Sequence, residues 1–481
     1  MNLKAVLNTL GKISLVEGVL LILPLTVSLI YGEFSHAAAF LVTVAVAALT
    51  GAVLLLVTRR HNHVIYAKEG FAIVAGVWIL ISLIGALPFR ISGMIPSYVD
   101  ALFETVSGFT TTGASVLTNM EVMPRGMLFW RSFTHFIGGM GFLVFVMAII
   151  PNVTDRSIHI LKAEVPGPSV GKIVPRIKDT AKILYLIYIA ITVLEIVMLI
   201  CGGMPVFDSV VHAFGTAGTG GFGIKSDSIA SYSPYCQWVI GVFMMLFGVN
   251  FNVYYLLLVK KFKDALKSSE FWTYISIMLF STVAITVSNI NLYERLSLNV
   301  RNSFFQVSSV MTTTGYVTAD FDSWGGIAKP ILITLMVIGT CAGSTGGGLK
   351  VSRVIILFKV ISREIKRLLH PREVKAIHFD GKKVDENTAG GVSHYFAIYM
   401  ICFVAVFLLI SFEPFGIETN LSATAACFNN IGPGFGAVGP TMNYSAYTAF
   451  SKIILSFAML LGRLEIFPII IAFSPSVWKK D

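Results

Sequence analysis

Apolar runs of about 20 residues, long enough to cross a bilayer as helices, alternate along this chain with short polar segments in a repeating order. Two runs, 13–31 and 37–58, joined by a tight turn and stopped by Arg59 and Arg60, predict an opening helix pair. The second run follows the first almost at once, so Lys4 and Lys12 read as the flank of a retained membrane helix rather than of a cleaved leader. Beyond the pair, one pattern recurs four times: a long apolar helix, a short segment with a polar start and a Gly-containing end, and a second long helix. First helices are predicted near 70–89, 182–203, 271–290 and 392–412, and second helices near 127–150, 237–259, 327–369 and 447–473. The chain divides accordingly into the pair, 1–67, and four repeats, 68–151, 152–260, 261–370 and 371–481.

The short segments carry the candidate chemistry. Asp100, Asp208, Asn302 and Thr419 each stand 13 residues before a glycine, at Gly113, Gly221, Gly315 and Gly432, and predict capped helices of about two turns. Two turns cannot span, so the segments are re-entrant, and non-helical backbone at membrane depth persists only where protein buries it or water reaches it. Four together imply a lined pore. Glycine spacings of 108, 94 and 117 residues are too long for a solenoid. The aligned ends read Thr111-Thr112-Gly113-Ala114-Ser115, Thr219-Gly220-Gly221-Phe222-Gly223, Thr313-Thr314-Gly315-Tyr316-Val317 and Asn430-Ile431-Gly432-Pro433-Gly434. The third is close to the Thr-Val-Gly-Tyr-Gly loop whose carbonyls replace the hydration shell of potassium in channels. Glycine permits the left-handed backbone that turns successive carbonyls toward one axis. Only the central glycine is common to all four, which predicts fewer well-formed ion sites than in a symmetric tetramer and looser preference for potassium over sodium.

Composition agrees with the pattern. The chain is 55% hydrophobic and 13% charged, with mean hydropathy +0.78, which excludes an ordinary soluble domain. Its net charge of +10 does not imply nucleic acid, because 27 of the 36 Lys and Arg fall in six short segments that share one side of the membrane if each repeat contributes two spans. Those segments and both termini are then cytoplasmic and the filter ends external. All four repeats run parallel, as a channel requires and as inverted-repeat transporters do not. Cys201, Cys236, Cys341, Cys402 and Cys427 lack disulfide or zinc-site spacing. No catalytic constellation rises above background, so an enzyme and a covalently bound cofactor are not expected.

Two features interrupt the apolar pattern. Five glycines between 339 and 348, in Gly343-Ser344-Thr345-Gly346-Gly347-Gly348 and the residues before it, make a helix improbable inside the third repeat's second span. The stretch lacks phosphate-loop register; a flexible kink and a mobile gating loop both account for it. Arg463 lies inside the fourth repeat's second helix, where an unpaired cation costs roughly 2.5–3.5 kcal/mol. It either pairs with a neighbouring helix or stands near the pore and reinforces a barrier. Lys350 and Arg353 lie on the same inner path or serve as ordinary positive-inside charges. The basic stretch 350–383 and the loop 151–182 orient the chain or dock a cytosolic partner. His135 reads as a satisfied core histidine, and Glu104, His212, Gln306 and Ala423, nine residues before their glycines, as packing behind the filter.

Four unequal helix–loop–helix units, these loops and the extra N-terminal pair together resemble the TrkH/KtrB/HKT superfamily of potassium transporters, and its TrkH branch most closely. The resemblance covers essentially the whole chain. It implies an all-α integral membrane protein of ten spans with four pseudo-symmetric repeats around one pore. It also implies potassium uptake across the bacterial inner membrane, with potassium as substrate at the filter and the Gly-rich loop obstructing the pore beneath it. A homodimer and a cytosolic nucleotide-binding regulatory subunit (TrkA in that family) follow as implied partners. An ion-coupled symporter, driven by sodium or protons, is the alternative.

Overall fold

The computed structural model describes residues 1–59, 66–141, 177–373 and 376–475. Helices α1 (Leu3–Leu20), α2 (Ile22–Ile30) and α3 (Phe34–Val57) form the opening pair. Gly11 and Gly51 bring α1 and α3 backbones together: a β-carbon on Gly51 would lie 2.9 Å from the Gly11 carbonyl oxygen. Small residues at such contacts are the usual basis of helix association in lipid, where apolar burial gives no drive.

The first repeat contains α4 (Ala67–Gly85), α5 (Leu87–Ile91), α6 (Tyr98–Phe109) and α7 (Arg125–Gly139). The second contains α8 (Ile177–Cys201), α9 (Val206–Gly218), α10 (Pro234–Phe247) and α11 (Phe251–Leu258), with a short α12 (Phe262–Leu266) after it. The third contains α13 (Ser269–Ser288), α14 (Leu296–Met311), α15 (Ala328–Ile338) and α16 (Val351–Leu369), followed by a hairpin of β1 (His378–Phe379) and β2 (Lys382–Lys383). The fourth contains α17 (Glu386–Ile410), α18 (Ile417–Phe428), α19 (Ala449–Arg463) and α20 (Phe467–Phe473). The fold is all-α, four repeats of helix, short helix with loop, and helix around one axis.

Among the described residues, six helical stretches have the length and apolarity to span unaided, and the bent pairs α10–α11 and α19–α20 bring the number to eight. Of the ten expected spans the other two are α7, whose predicted continuation over 142–150 lies outside the described residues, and the split pair α15 and α16. The loop 151–176, Arg60 and the tail beyond 475 also lie outside them.

The structure corrects two expectations. The second helices of repeats two and four are not continuous: α10 and α11 meet at 90°, α19 and α20 at 118°. Asn250 caps α11, accepting the Asn252 N–H at 2.9 Å, while Glu465 and Ile466 both take positive φ ahead of Pro468 in the first turn of α20. The short helices also start before the predicted caps, at Ser97, Pro205, Arg295 and Gly416. Asp100, Asp208 and Thr419 sit in the first turn instead, and Asn302 deeper.

Acids in those first turns suit the positive end of a helix and also clasp successive repeats. Arg125 at the start of α7 meets Asp208 of α9 (3.7 Å), Lys329 at the start of α15 meets Glu418 of α18 (3.3 Å), and Lys452 near the start of α19 meets Asp100 of α6 (2.7 Å). Between repeats two and three the tie uses backbone and one hydroxyl: the Ile229 N–H donates to the Val317 carbonyl at 3.0 Å, and the Val317 N–H to Ser228 Oγ at 3.2 Å.

Candidate functional site

The four short helices α6, α9, α14 and α18 end in the same way. The N–H groups of Thr112, Gly220, Thr314 and Ile431 donate to the carbonyls of Ser107, Gly215, Ser309 and Ala426, each at 2.8 Å. One residue earlier, Thr111, Thr219, Thr313 and Asn430 take left-handed backbone, with φ of 55, 54, 58 and 57°. This is the Schellman termination, usually built on glycine. Three threonines and an asparagine here hold a conformation that costs on the order of 1–3 kcal/mol each unless surroundings enforce it. Two residues on, Gly113, Gly221, Gly315 and Gly432 again have positive φ, 79, 74, 82 and 99°.

The glycines close a ring. A β-carbon on Gly113 would lie 2.0 Å from the Gly220 oxygen, one on Gly221 1.9 Å from Thr314 O, one on Gly315 2.1 Å from Ile431 O, and one on Gly432 2.7 Å from Thr112 O. Each glycine thus abuts the carbonyl oxygen preceding the next repeat's glycine, in the order one, two, three, four and back to one. A vestibule of about 150 Å³ opens over the four glycines, lined also by Ala114, Phe222, Pro433 and Lys225. Tyr444 donates to the Gly432 carbonyl of its own repeat at 2.8 Å.

Behind each loop stands a different brace. In repeat one, Glu104 and Arg131 form a buried ion pair at 2.6 Å; Glu104 also accepts from the Val116 N–H, and Arg131 donates to the Gly223 carbonyl at 3.2 Å and covers the Phe222 ring at 4.0 Å. In repeat two, the Tyr316 hydroxyl from repeat three donates to the His212 carbonyl at 3.0 Å, and the His212 ring lies 3.3 Å from the hydroxyls of Tyr316 and Tyr232. In repeat three, Ser309 donates to the Tyr316 carbonyl at 2.6 Å, and the Gln306 amide faces Thr318 and Ala319. In repeat four the buried Ala423 makes no such bond, and its neighbour Ser422 accepts from the Phe435 N–H at 2.9 Å. His135 departs from expectation: among the described residues neither ring nitrogen has a hydrogen-bond partner. Its ring stacks on Phe222 at 4.2 Å and fills the space a β-carbon on Gly220 would need.

Beneath the ring lies the Gly-rich stretch, a loop between α15 and α16. The Gly347 N–H donates to Thr313 Oγ1 at 2.7 Å, and a β-carbon on Gly347 would strike the Asn429 carbonyl. Gly343 O accepts from the Phe251 N–H at 3.1 Å, Ser344 donates to Cys341 O at 2.7 Å, and Thr345 to Phe247 O at 3.3 Å. Gly346 packs under Thr312, and Gly348 turns the chain with φ of 70°. Lys350, buried, folds back onto the carbonyls of Gly346 and Gly347. Arg463 donates to Thr345 O at 2.7 Å and Thr111 Oγ1 at 3.3 Å, and its other nitrogen to the carbonyls of Gly138 and Gly139. Arg353 pairs with Glu465 and covers the Tyr395 ring at 4.0 Å. Loop, Lys350, Arg463 and Glu465 line one inner cleft of about 90 Å³. The structure therefore brings all the predicted filter and gate residues to two adjoining layers on one axis.

Sequence reasoning did not foresee the left-handed backbone of Thr219, nor the Glu270 carboxylate, which accepts from the Ala342 N–H at 2.7 Å. The alignment of Thr219 with Thr111 and Thr313 held the first signal; the second carries no local motif.

A family model for TrkH, described as a cation transport protein, matches residues 36–480. The Trk system potassium uptake protein TrkH of Salmonella typhimurium is 35% identical over 486 residues, covering 100% of both chains, and that of Escherichia coli K12 is 34% identical over 487 residues with the same coverage. The crystal structure of the potassium transporter TrkH from Vibrio parahaemolyticus superposes with a TM-score of 0.89 at 31% identity, over 100% of both chains. With four glycine-centred loops closed into a ring inside a bundle of membrane-length helices, the chain belongs to the TrkH family of cation transport proteins, multi-pass membrane transporters rather than enzymes.

Proposed function

We propose that the chain takes up potassium across the bacterial inner membrane by selective, channel-like permeation through the four loops. The observation that carries the proposal is the closed ring in which each glycine abuts the next repeat's carbonyl oxygen. Four carbonyls per layer, those of Thr112, Gly220, Thr314 and Ile431, supply the oxygen cage that a dehydrated cation needs. The names of the relatives, Trk system potassium uptake proteins, support potassium as the cargo. The loop 339–350 is the gate: it lies against the inner ends of repeats three and four, and Arg463 fastens it with a positive charge on the ion path.

The vestibule faces outward and the basic segments face the cytosol, by the positive-inside rule. The protein works as a homodimer with a cytosolic nucleotide-binding regulator of the TrkA kind. Exposed Lys366, Arg367 and Arg372, at and just beyond the end of the helix that leaves the gate loop, are its docking charges.

A second reading, potassium symport with sodium or protons, is favoured by Glu17 and Glu195, carboxyl side chains fully buried within spans. An ionised group there is costly, and such residues often belong to proton relays. Reversal potential in proteoliposomes separates the two, together with flux of potassium, rubidium, sodium and lithium. A channel's reversal tracks the potassium gradient alone; a shift with an imposed pH or sodium gradient overturns it.

A further inference from the structure

Glu270 stands in the first turn of α13, buried, where it touches nothing in the filter. One of its carboxylate oxygens, Oε1, accepts two backbone N–H groups, from Ala342 at 2.7 Å and from Ser352 at 3.0 Å. Ala342 lies where the chain goes into the Gly-rich loop, and Ser352 in the first turn of the helix that leaves it. The backbone doubles back on itself here: the Leu349 N–H donates to Val337 O at 3.0 Å, and the Val351 N–H to Thr340 O at 2.9 Å. One oxygen therefore pins both ends of the loop to a separate helix. A carboxylate on amides at a helix start is a strong form of hydrogen bond.

The residue before Glu270 is itself held from outside the bundle. Ser269 donates its N–H, at 2.7 Å, and its hydroxyl to Asp380 Oδ1. Asp380 and Gly381, with φ of 48 and 74°, form the two-residue tip that a tight hairpin of this handedness requires. The same hairpin is tied to α16, because Lys359 donates to the His378 carbonyl at 2.7 Å. Exposed Lys382 and Lys383 sit on its second strand. The hairpin thus bridges the two helices whose ends meet at Glu270.

We propose that Glu270 is the latch of the intramembrane loop, and that the 378–383 hairpin is the handle that holds this latch in place. This rests on reading the loop as the gate. Displacing the hairpin takes away the acceptor that fixes the Ser269–Glu270 turn, and the carboxylate then lets go of both loop ends together. Glu270 is a positioning residue, since it acts on the pore through Ala342 and Ser352.

The test uses the full chain in proteoliposomes and a probe already in the loop. Cys341 is 1% exposed and adjoins Ala342; Cys236 and Cys427, also buried, lie elsewhere and serve as controls. N-ethylmaleimide labelling is followed cysteine by cysteine by mass spectrometry, with rubidium flux measured in parallel. Glu270→Ala and Asp380→Ala are expected to speed Cys341 labelling at least roughly tenfold, the least change that losing one hydrogen bond to a charged acceptor sustains. Flux rises with it, and Cys236 and Cys427 keep their protection. Glu270→Gln, whose amide oxygen still accepts, falls between parent and Ala. Folded Glu270→Ala with Cys341 still protected overturns the latch, as does equal labelling of all three cysteines, which is general loosening. Release by Glu270→Ala but not by Asp380→Ala removes the handle. If deleting 343–348 raises flux while Glu270→Ala changes nothing, the latch fails and the gate stands; if Cys341 is freed without any rise in flux, the gate reading fails.

Discussion

Replacing Arg463 by Ala tests the gate at its charged point. The side chain fastens the loop through Thr345 O, touches the first repeat's loop through Thr111 Oγ1, and holds the carbonyls of Gly138 and Gly139 at the end of α7. A hydrogen bond from a charged donor contributes about 1.5–3 kcal/mol. Losing the Thr345 bond alone therefore raises the population of the released loop roughly tenfold to 150-fold, at 1.4 kcal/mol per decade. A cation passing about 6 Å from the guanidinium also meets about 3 kcal/mol of repulsion at an effective dielectric near 20. Together these set a ceiling of about ten-thousandfold on the gain in flux, and the released loop alone a floor of about tenfold.

Stability opposes the change only weakly. The carbonyls left without a donor cost about 1–3 kcal/mol each if dry, but Arg463 lines the inner cleft, and water entering it takes over as donor. Arg463→Lys keeps the charge and loses the planar fork that reaches several carbonyls, so its flux lies between parent and Arg463→Ala. Rubidium uptake into proteoliposomes without regulator, normalised to folded protein by size exclusion and thermal melting, gives the readout. Deleting 343–348 is the companion. If both variants fold as the parent does and conduct no faster, Arg463 and the loop are structural and the gating argument is refuted.

Replacement of each ring glycine by Ser ranks by its clash: Gly221, Gly113 and Gly315, whose β-carbons would come within 2.1 Å of a carbonyl oxygen, lose potassium-over-sodium selectivity most, and Gly432, at 2.7 Å, least. Equal permeability ratios in all four variants would remove these loops from the filter. Glu104→Gln leaves Arg131 buried without its counter-charge, a loss of about 3–5 kcal/mol that melting reports, with selectivity falling because Arg131 also holds Gly223. Neutralising Lys366, Arg367 and Arg372 together weakens pull-down of a cytosolic nucleotide-binding regulator and leaves unregulated flux intact; unchanged pull-down confines these charges to orienting the chain.

The architecture was legible because membranes make sequence unusually explicit. Apolar length marked α3, α4, α8, α13 and α17, and the glycine register found the four loops, including the fourth, where Asn430-Ile431-Gly432 shares little chemistry with Thr313-Thr314-Gly315. Helix continuity was less legible. The break at 339–350 declared itself through five glycines, whereas those at 248–250 and 464–466 rest on Gly248 with Asn250, and on two non-glycine residues at positive φ before Pro468. Local propensity resists such a conformation at Ile466, so nothing nearby predicts it; tertiary packing imposes it. The same holds for the partners of the buried charges. Arg463 was conspicuous, but the main-chain carbonyls and the Thr111 hydroxyl that it meets lie more than 100 residues distant, and a main-chain acceptor has no signature.

The contrast between backbone and side chains explains how one chain makes both a ring and the single loop seated beneath it. The ring is a backbone object: a Schellman turn, a left-handed residue, a glycine two places on. Few positions specify it, so the braces behind are free to diverge into an ion pair, a histidine–tyrosine contact, an amide and a serine. Four identical subunits would offer a gate four equal seats and no reason to choose among them. Here Thr313 presents a hydroxyl to Gly347, the Asn430 amide turns instead to Thr112 Oγ1 and Met459 O, and Thr111 receives Arg463. The loop from the third repeat docks in one orientation because the seats differ. On the proposed reading of the loop as a gate, unequal repeats, which weaken the case for a tightly selective filter, are what allow a single loop to close it.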